Sequence, residues 1–147
     1  MLDLDLVLAI LHHFFIFALF GVLFSEFVVV RRGMDAAAAT RVARIDVWYG
    51  VLAALILIVG FYRAIFAAKG WAYYAHKAFF WGKIGTFAVI GLLSVPPTLA
   101  YLSWRRADAS PKVESVAKVR RYLWMQVVLF PLLLAFAAAM ARGYGMF

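Results

Sequence analysis

The sequence LVLAILHHFFIFALF occupies positions 6–20 and opens an apolar run that continues to Val30, with Ser25 and Glu26 as its later polar interruptions. A membrane-spanning helix needs about 20 apolar residues to cross a hydrocarbon core of about 30 Å. Ionisable side chains at that depth are costly unless they are paired, hydrated or bound to a ligand. His12 and His13 therefore mark a candidate functional site.

Four apolar segments are long enough to cross a membrane, and they cover residues 6–30, 47–68, 78–103 and 122–141. Helices are the expected form, because isolated strands would leave backbone groups unpaired in lipid. We predict an all-α integral membrane four-helix bundle in one domain, residues 1–147. Between the first two spans, Asp35 is a candidate N-cap for a short interfacial helix at Ala36–Ala39 that carries Arg41 and Arg44.

The composition supports a membrane protein, because hydrophobic residues make up 67% of the chain. Cysteine is absent, which excludes disulfides, iron–sulfur clusters and thiolate metal sites. No basic residue precedes the first run, so we predict a retained span rather than a cleaved signal peptide. The net charge of +8 is concentrated in two loops, which favours membrane topology over nucleic-acid binding as its explanation.

The basic residues predict the orientation. Ten of the fifteen lie after the first span or between the third and fourth: Arg31, Arg32, Arg41, Arg44, Arg105, Arg106, Lys112, Lys118, Arg120 and Arg121. The remaining five are Arg63, Lys69, Lys77, Lys83 and Arg142. The positive-inside rule then predicts a multi-pass protein of the bacterial inner membrane, with both basic loops in the cytoplasm and both termini outside.

Several polar residues are predicted to lie at a similar depth in the outer leaflet. His12 lies ~9 Å below the outer edge and Lys83 ~10 Å below it, at 1.5 Å of rise per residue. His76 precedes Lys83 by nearly two helical turns, so the two share a face. Arg63 lies near the outer end of the second span, and Trp81 is among the aromatic residues around it. These residues predict a pocket rich in cations and aromatic rings.

Carboxylates are scarce on the outer side, where only Asp3 and Asp5 face the five cations. Because buried cations need counter-charges, we expect an anionic group from outside the protein. A haem propionate, a quinone head group or a lipid phosphate would each fit. The alternative is that Arg63, Lys69 and Lys77 extend to phospholipid head groups without a specific ligand.

His12 is the better candidate of the two adjacent histidines. Glu26 follows it by nearly four turns and shares its face, whereas His13 is turned about 100° away. Histidine is a common metal ligand and the usual axial ligand of b-type haem, so we predict that His12 binds the iron of haem b. His76 is a candidate second ligand. The alternative for His12 is a neutral imidazole that is hydrogen-bonded across the bundle.

Other features of the spans predict packing. Tyr49, Ala53, Ile56, Gly60 and Arg63 form one stripe, whose small members allow close helix approach. Pro96, Pro97 and Pro131 should kink their helices and free carbonyls that neighbouring helices must satisfy. Glu26 lies nearer the cytoplasmic side and is predicted to pair with Arg44, Arg120 or Arg121. A proton-relay role for Glu26 is the alternative.

Motifs along the whole chain resemble an uncharacterised family of predicted four-span bacterial membrane proteins. They are Leu-His-His at 11–13, Arg-Ile-Asp-Val-Trp-Tyr-Gly at 44–50, Lys-Gly at 69–70, Phe-Phe-Trp-Gly-Lys at 79–83 and Met-Ala-Arg-Gly-Tyr-Gly at 140–145. The resemblance implies the fold but no activity.

The layout is also distantly similar to the small haem-binding membrane family that oxidises protoporphyrinogen. That family has an early first-span histidine and a Trp-x-x-Lys-like element opening its third span. The similarity implies that His12 (or His13), Trp81 and Lys83 bind a haem. Trp81-Gly82-Lys83 is one residue shorter than that element, and its accompanying histidine is missing.

Three functions remain open from the sequence. The first is a haem-b-binding redox protein that acts on a porphyrin or quinone in the lipid bilayer. The second is a non-catalytic accessory subunit of a larger membrane complex, or a homo-oligomer. The third is a small transporter or channel, which the absence of an inverted repeat and of a chain of intramembrane carboxylates makes weaker.

Overall fold

The structure is a computed structural model that describes residues 3–66 and 70–142. The four long helices are α1 (Leu4–Val29), α2 (Ala36–Phe66), α4 (Ala78–Ala107) and α5 (Val113–Ala141). A short helix, α3 (Gly70–Ala75), precedes α4. Each long helix contains a window apolar enough to cross a membrane. The prediction of four membrane-spanning helices is confirmed.

Three helices begin earlier than predicted, and for α2 and α5 the difference is about ten residues. Asp35 caps α2, since its Oδ1 accepts a hydrogen bond of 2.8 Å from the Ala38 N–H. The predicted interfacial helix at Ala36–Ala39 is therefore wrong as a separate element, because no glycine or proline interrupts the chain before the apolar run. For the same reason α5 begins at Val113 instead of residue 122. The predicted end of the second span, residues 67–68, lies outside the described residues.

Neighbouring helices run antiparallel. Arg63 Nε lies 3.1 Å from Asp5 Oδ1, which brings the end of α2 to the start of α1. Trp104 Nε1 donates to Ser115 Oγ over 3.0 Å, which joins the end of α4 to the start of α5. The main packing is α1 against α2 and α4 against α5, with α2 against α4 between the two pairs. The loops at 30–35 and 108–112 therefore share one end of the bundle.

Apolar side chains lie both inside and outside the bundle. The buried core contains Leu19, Leu23, Val42, Ile90, Leu123 and Phe130. The outer surface is also apolar, with Phe17 83% exposed and Leu92 72% exposed. Such a surface would be unfavourable in water and is favourable against lipid tails. The chain is an integral membrane protein with four candidate spans.

Gln126 compensates for a proline in the neighbouring helix. Pro97 has no N–H, so the carbonyl of Leu93 loses its usual partner four residues later. Gln126 Nε2 donates to that carbonyl over 3.2 Å, and its Oε1 accepts from Tyr49 Oη at 2.7 Å. The Gln126 side chain is 0% exposed. The expectation that neighbouring helices satisfy freed carbonyls is confirmed at Leu93.

Glu26 is buried on the same face of α1 as His12, as predicted, but its predicted ion pair is wrong. Arg120 donates instead to the carbonyls of Phe27 and Val30 at the end of α1. Carbonyls in the last turn of a helix lack partners within the helix and attract cations. Arg44 and Arg121, the other predicted partners, lie exposed. Glu26 is therefore left without a basic partner among the described residues.

Candidate functional site

His12 lies in the interface between α1 and α2, in the part nearer the start of α1 and the end of α2. Its side chain is 6% exposed, and its ring packs directly over Gly60. A Cβ atom at position 60 would lie 3.0 Å from His12 Cε1, so only glycine allows this approach without displacement of the ring. The stripe of small residues predicted for the second span thus has a definite role at Gly60. It brings α2 close enough to cover the imidazole.

The two ring nitrogens of His12 have different surroundings. Nδ1 is buried and has no hydrogen-bond partner within the described residues, whereas the ring interacts with the backbone of Ile56. We assign the proton of the neutral imidazole to Nε2, toward that backbone, which leaves a lone pair on Nδ1. The unpartnered Nδ1 can accept a hydrogen bond or coordinate a metal.

Gly60→Ala tests the contact with His12. We expect this variant to have a free energy of unfolding lower by about 1–3 kcal/mol than Gly50→Ala, because the added methyl group displaces the ring. Gly50 lies in the same helix and is a matched control, since a Cβ there meets nothing within 4 Å. Unfolding in mixed detergent micelles gives the comparison. Equal stabilities of the two variants would show that the His12 ring does not pack on Gly60.

Lys83 and His12 line the same cavity, of about 60 Å³, between α1, α2 and α4. No carboxylate pairs with Lys83 in the part of the chain that the structure describes, and the charged group that acts on it is the like-charged Arg63. The rest of the wall is apolar, and includes Ile16, Ile56, Leu57, Phe61, Phe80 and Phe87. The predicted common depth of His12 and Lys83 therefore corresponds to one site.

Arg63 does not need an external counter-charge. Its Nε lies 3.1 Å from Asp5 Oδ1, within a salt bridge that is partly shielded from the surroundings. The expectation that outer cations require an anion from outside the protein is wrong for Arg63, because the start of α1 supplies a carboxylate. The expectation still applies to Lys83. Lys69 lies outside the described residues.

The structure places the other predicted ligands away from this cavity. His76 lies exposed in the turn between α3 and α4. The Trp81 indole N–H donates to the Ala75 carbonyl over 3.0 Å, and the side chain is 44% exposed. His13 is exposed, as its rotation of about 100° from His12 predicted. Its ring is hydrogen-bonded to the Ala9 carbonyl at 2.7 Å. Phe80 lines the cavity where Trp81 was expected.

A second polar cluster lies deeper in the bundle, toward the basic loops. The carboxyl group of Glu26 interacts directly with that of Asp46. Tyr101 Oη donates to Glu26 Oε2 over 3.4 Å, and Thr98 Oγ1 donates to Asp46 Oδ2 over 2.6 Å. Tyr49 lies one turn after Asp46 on α2. The sequence-based reasoning missed this cluster, although extending the predicted stripe back by one turn from Tyr49 reaches Asp46.

A groove of about 350 Å³ lies between α2 and α4 beside this cluster. Asp46, Thr98 and Tyr101 line it, and it ends at Arg105 in the last turn of α4. Phe87 lines both the groove and the cavity at His12. Across residues 3–66 and 70–142, no group of three His, Cys, Asp or Glu side chains is arranged to hold a metal ion.

Comparison with known proteins agrees with the fold. No curated protein and no solved structure matches the chain. The similarity to the haem-binding oxidase family stays a prediction, whereas the expected membership in a family of predicted membrane proteins is confirmed. The model of the family described as Predicted membrane protein (DUF2214) matches residues 4–145, and the chain belongs to that family.

Proposed function

We propose that this protein binds a lipid-soluble molecule and holds its oxygen-bearing head group between His12 and Lys83. One observation carries the proposal: His12 Nδ1 and Lys83 line the same membrane-embedded cavity, and within residues 3–66 and 70–142 the nitrogen has no hydrogen-bond partner and the lysine has no carboxylate. Unsatisfied polar groups at such a depth are costly, and they mark sites of substrate or ligand binding.

The two polar groups select the chemistry of the head group. Lys83 is a donor, and the lone pair on His12 Nδ1 is an acceptor. A group that pairs with both must therefore offer an oxygen acceptor and an O–H donor close together. The protonated carboxyl group of a fatty acid and the hydroxyl group of a quinol both meet this requirement. A fully ionised phosphate would leave Nδ1 without a donor.

The surroundings of the cavity favour a ligand that arrives through the bilayer. Leu57 and Phe61 line the cavity and are also exposed on the lipid-facing surface, 43% and 37% respectively. A cavity of about 60 Å³ holds a small polar group or a few water molecules. The head group thus fits inside, and an apolar tail would extend between α2 and α4 into lipid.

Native mass spectrometry of the protein released from membranes tests the proposal. We expect a bound molecule with a carboxyl or quinol head group in the wild type and in His13→Phe, and its loss in His12→Phe. His13 is a matched control because it is adjacent in sequence but exposed on the other face. Added long-chain fatty acid and added short-tail ubiquinol, in separate samples, then distinguish the two head groups. If His12→Phe retains the bound molecule as well as the wild type does, the proposal is contradicted.

Haem b, with a redox role on a porphyrin or quinone, is the second candidate. The observation in its favour is the His12 ring itself, because metal-bound histidines usually donate their other nitrogen to a carbonyl or carboxylate. The cavity beside His12 is smaller than a porphyrin, so the residues as placed do not fit the whole group.

The absorption spectrum of protein made with ample haem discriminates between haem and the other candidates. A Soret band that His12→Ala abolishes would establish haem. A protein without colour and without bound ligand would favour the accessory-subunit alternative.

We also propose that the protein lies in the bacterial inner membrane with both basic loops in the cytoplasm. The antiparallel helices place the loops at 30–35 and 108–112 at the same end, where most of the exposed arginines lie. Cytoplasmic loops of membrane proteins carry the excess of Lys and Arg.

Single cysteines test this orientation in a chain that contains none. Ala37 and Ala109 are both exposed at the basic end of the bundle. We expect cysteines at these positions to resist an impermeant thiol reagent in intact cells and to react after the cells are permeabilised. Ready labelling of both positions in intact cells would reverse the orientation.

A further inference from the structure

We propose that Glu26 and Asp46 form a proton-binding carboxyl pair that exchanges its proton through the groove between α2 and α4. This site is separate from the cavity at His12, because Asp46 lies ten residues before Ile56, or ~15 Å along α2. The inference does not rest on the ligand proposed for that cavity.

The first support is that no cation lies beside the pair among the described residues. Glu26 is 1% exposed, and Asp46 is 9% exposed. The titratable or charged groups that face them are Tyr49 from α2 and Tyr101 from α4, with Arg105 at the end of the groove. From α5, Gln126 is neutral and Arg120 binds carbonyls of α1. Two adjacent carboxylates in such surroundings repel each other unless one is protonated.

The hydrogen bonds give the second support. Glu26 Oε1 is buried and has no donor within the described residues. The neighbouring Asp46 cannot supply one as a carboxylate, because an ionised carboxylate only accepts. One added proton on the pair would provide the missing donor. Binding of that proton changes the charge of the pair from −2 to −1 and requires no other reactant.

The groove supplies the route for exchange. Asp46 lines the groove and accepts a hydrogen bond from Thr98 on its wall, whereas Glu26 does not line it. A proton from the basic end of the bundle would therefore reach Asp46 first and pass to Glu26. This arrangement assigns different roles to the two carboxyl groups. Glu26 holds the proton in the protein interior, and Asp46 connects it to the groove.

Infrared spectroscopy of the protein in lipid bilayers at neutral pH tests the pair. We expect the wild type to show a carbonyl stretch of a protonated carboxyl group that shifts in D₂O. Glu26→Gln should abolish the band, because Asp46 then has no neighbouring carboxyl group and can ionise beside Thr98 and the groove. Asp46→Asn should keep the band but slow its exchange several-fold. Glu114→Gln is the control, since Glu114 is exposed in the first turn of α5, and it should change nothing.

Three results would overturn the proposal. The first is the absence of a protonated carboxyl band from the folded wild type. The second is a band that survives Glu26→Gln unchanged. The third is a band that disappears when Na⁺ or K⁺ is added at constant pH, which would identify a cation site. A circular-dichroism unfolding transition of Glu26→Gln that matches the wild type shows that the variant is folded and keeps this test independent of the outer cavity.

Discussion

Gln126→Leu is expected to lower the free energy of unfolding by about 2 kcal/mol, because two buried groups lose their hydrogen-bond partners. Tyr49 Oη would lose its acceptor, and the Leu93 carbonyl would lose its donor. Leucine preserves most of the side-chain volume at a position that is 0% exposed, so a cavity contributes little. Unfolding in mixed micelles, followed by circular dichroism, measures the loss.

A double-mutant cycle with Pro97→Ala identifies the cause. Alanine at position 97 restores an N–H that can donate to the Leu93 carbonyl within α4. The loss caused by Gln126→Leu should therefore be smaller in the Pro97→Ala background, because only the Tyr49 hydrogen bond remains to be broken. If the loss is the same in both backgrounds, Gln126 does not compensate for Pro97.

Lys83→Met is expected to weaken binding of a long-chain fatty acid or a short-tail ubiquinol by about tenfold or more, since hydrogen bonds to charged groups contribute about 1.5–3 kcal/mol. Methionine preserves the length of the side chain and makes the span more apolar, so membrane insertion should be retained. Titration of the purified protein in nanodiscs measures the affinity.

Lys118→Met is the matched control for this titration. Lys118 is an exposed lysine near the start of α5, away from the residues that line the cavity. It removes the same charge without changing the cavity and should leave the affinity unchanged. Equal weakening by both variants would indicate a general effect of net charge on the bilayer surface. Unchanged affinity in Lys83→Met would remove Lys83 from the site.

The fold could be predicted because the signal is repeated over long segments. The apolar run at residues 6–30 and its three counterparts each exceed the length needed to span a bilayer, and lipid permits few alternatives to helices. The helix starts were harder to predict, because hydropathy locates the lipid-embedded part and not the whole helix. Ala36 and Val113 begin helices whose N-terminal segments carry charged side chains, such as Arg41 and Lys118, and precede the lipid-embedded part.

The candidate site was predictable in part. The shared face of His12 and Glu26 followed from helical periodicity, and the common depth of His12 and Lys83 followed from the rise per residue. Periodicity on one helix does not specify which residues of other helices lie opposite. Gly60 over His12 and Asp46 beside Glu26 depend on how α2 is rotated and shifted against α1. The pairing of Arg63 with Asp5 likewise depends on where the first helix begins.

Solid-state NMR of ¹⁵N-histidine-labelled protein in bilayers tests the central claim most directly, because it reports on the His12 Nδ1 atom itself. His13→Phe removes the adjacent histidine and simplifies assignment of the His12 signal. Without ligand, we expect the chemical shift of a nitrogen with a free lone pair at Nδ1. Added fatty acid or ubiquinol should move that signal toward the shift of a hydrogen-bonded or protonated nitrogen and leave His76 unchanged. An Nδ1 signal that neither probe changes at saturating concentration would contradict the account.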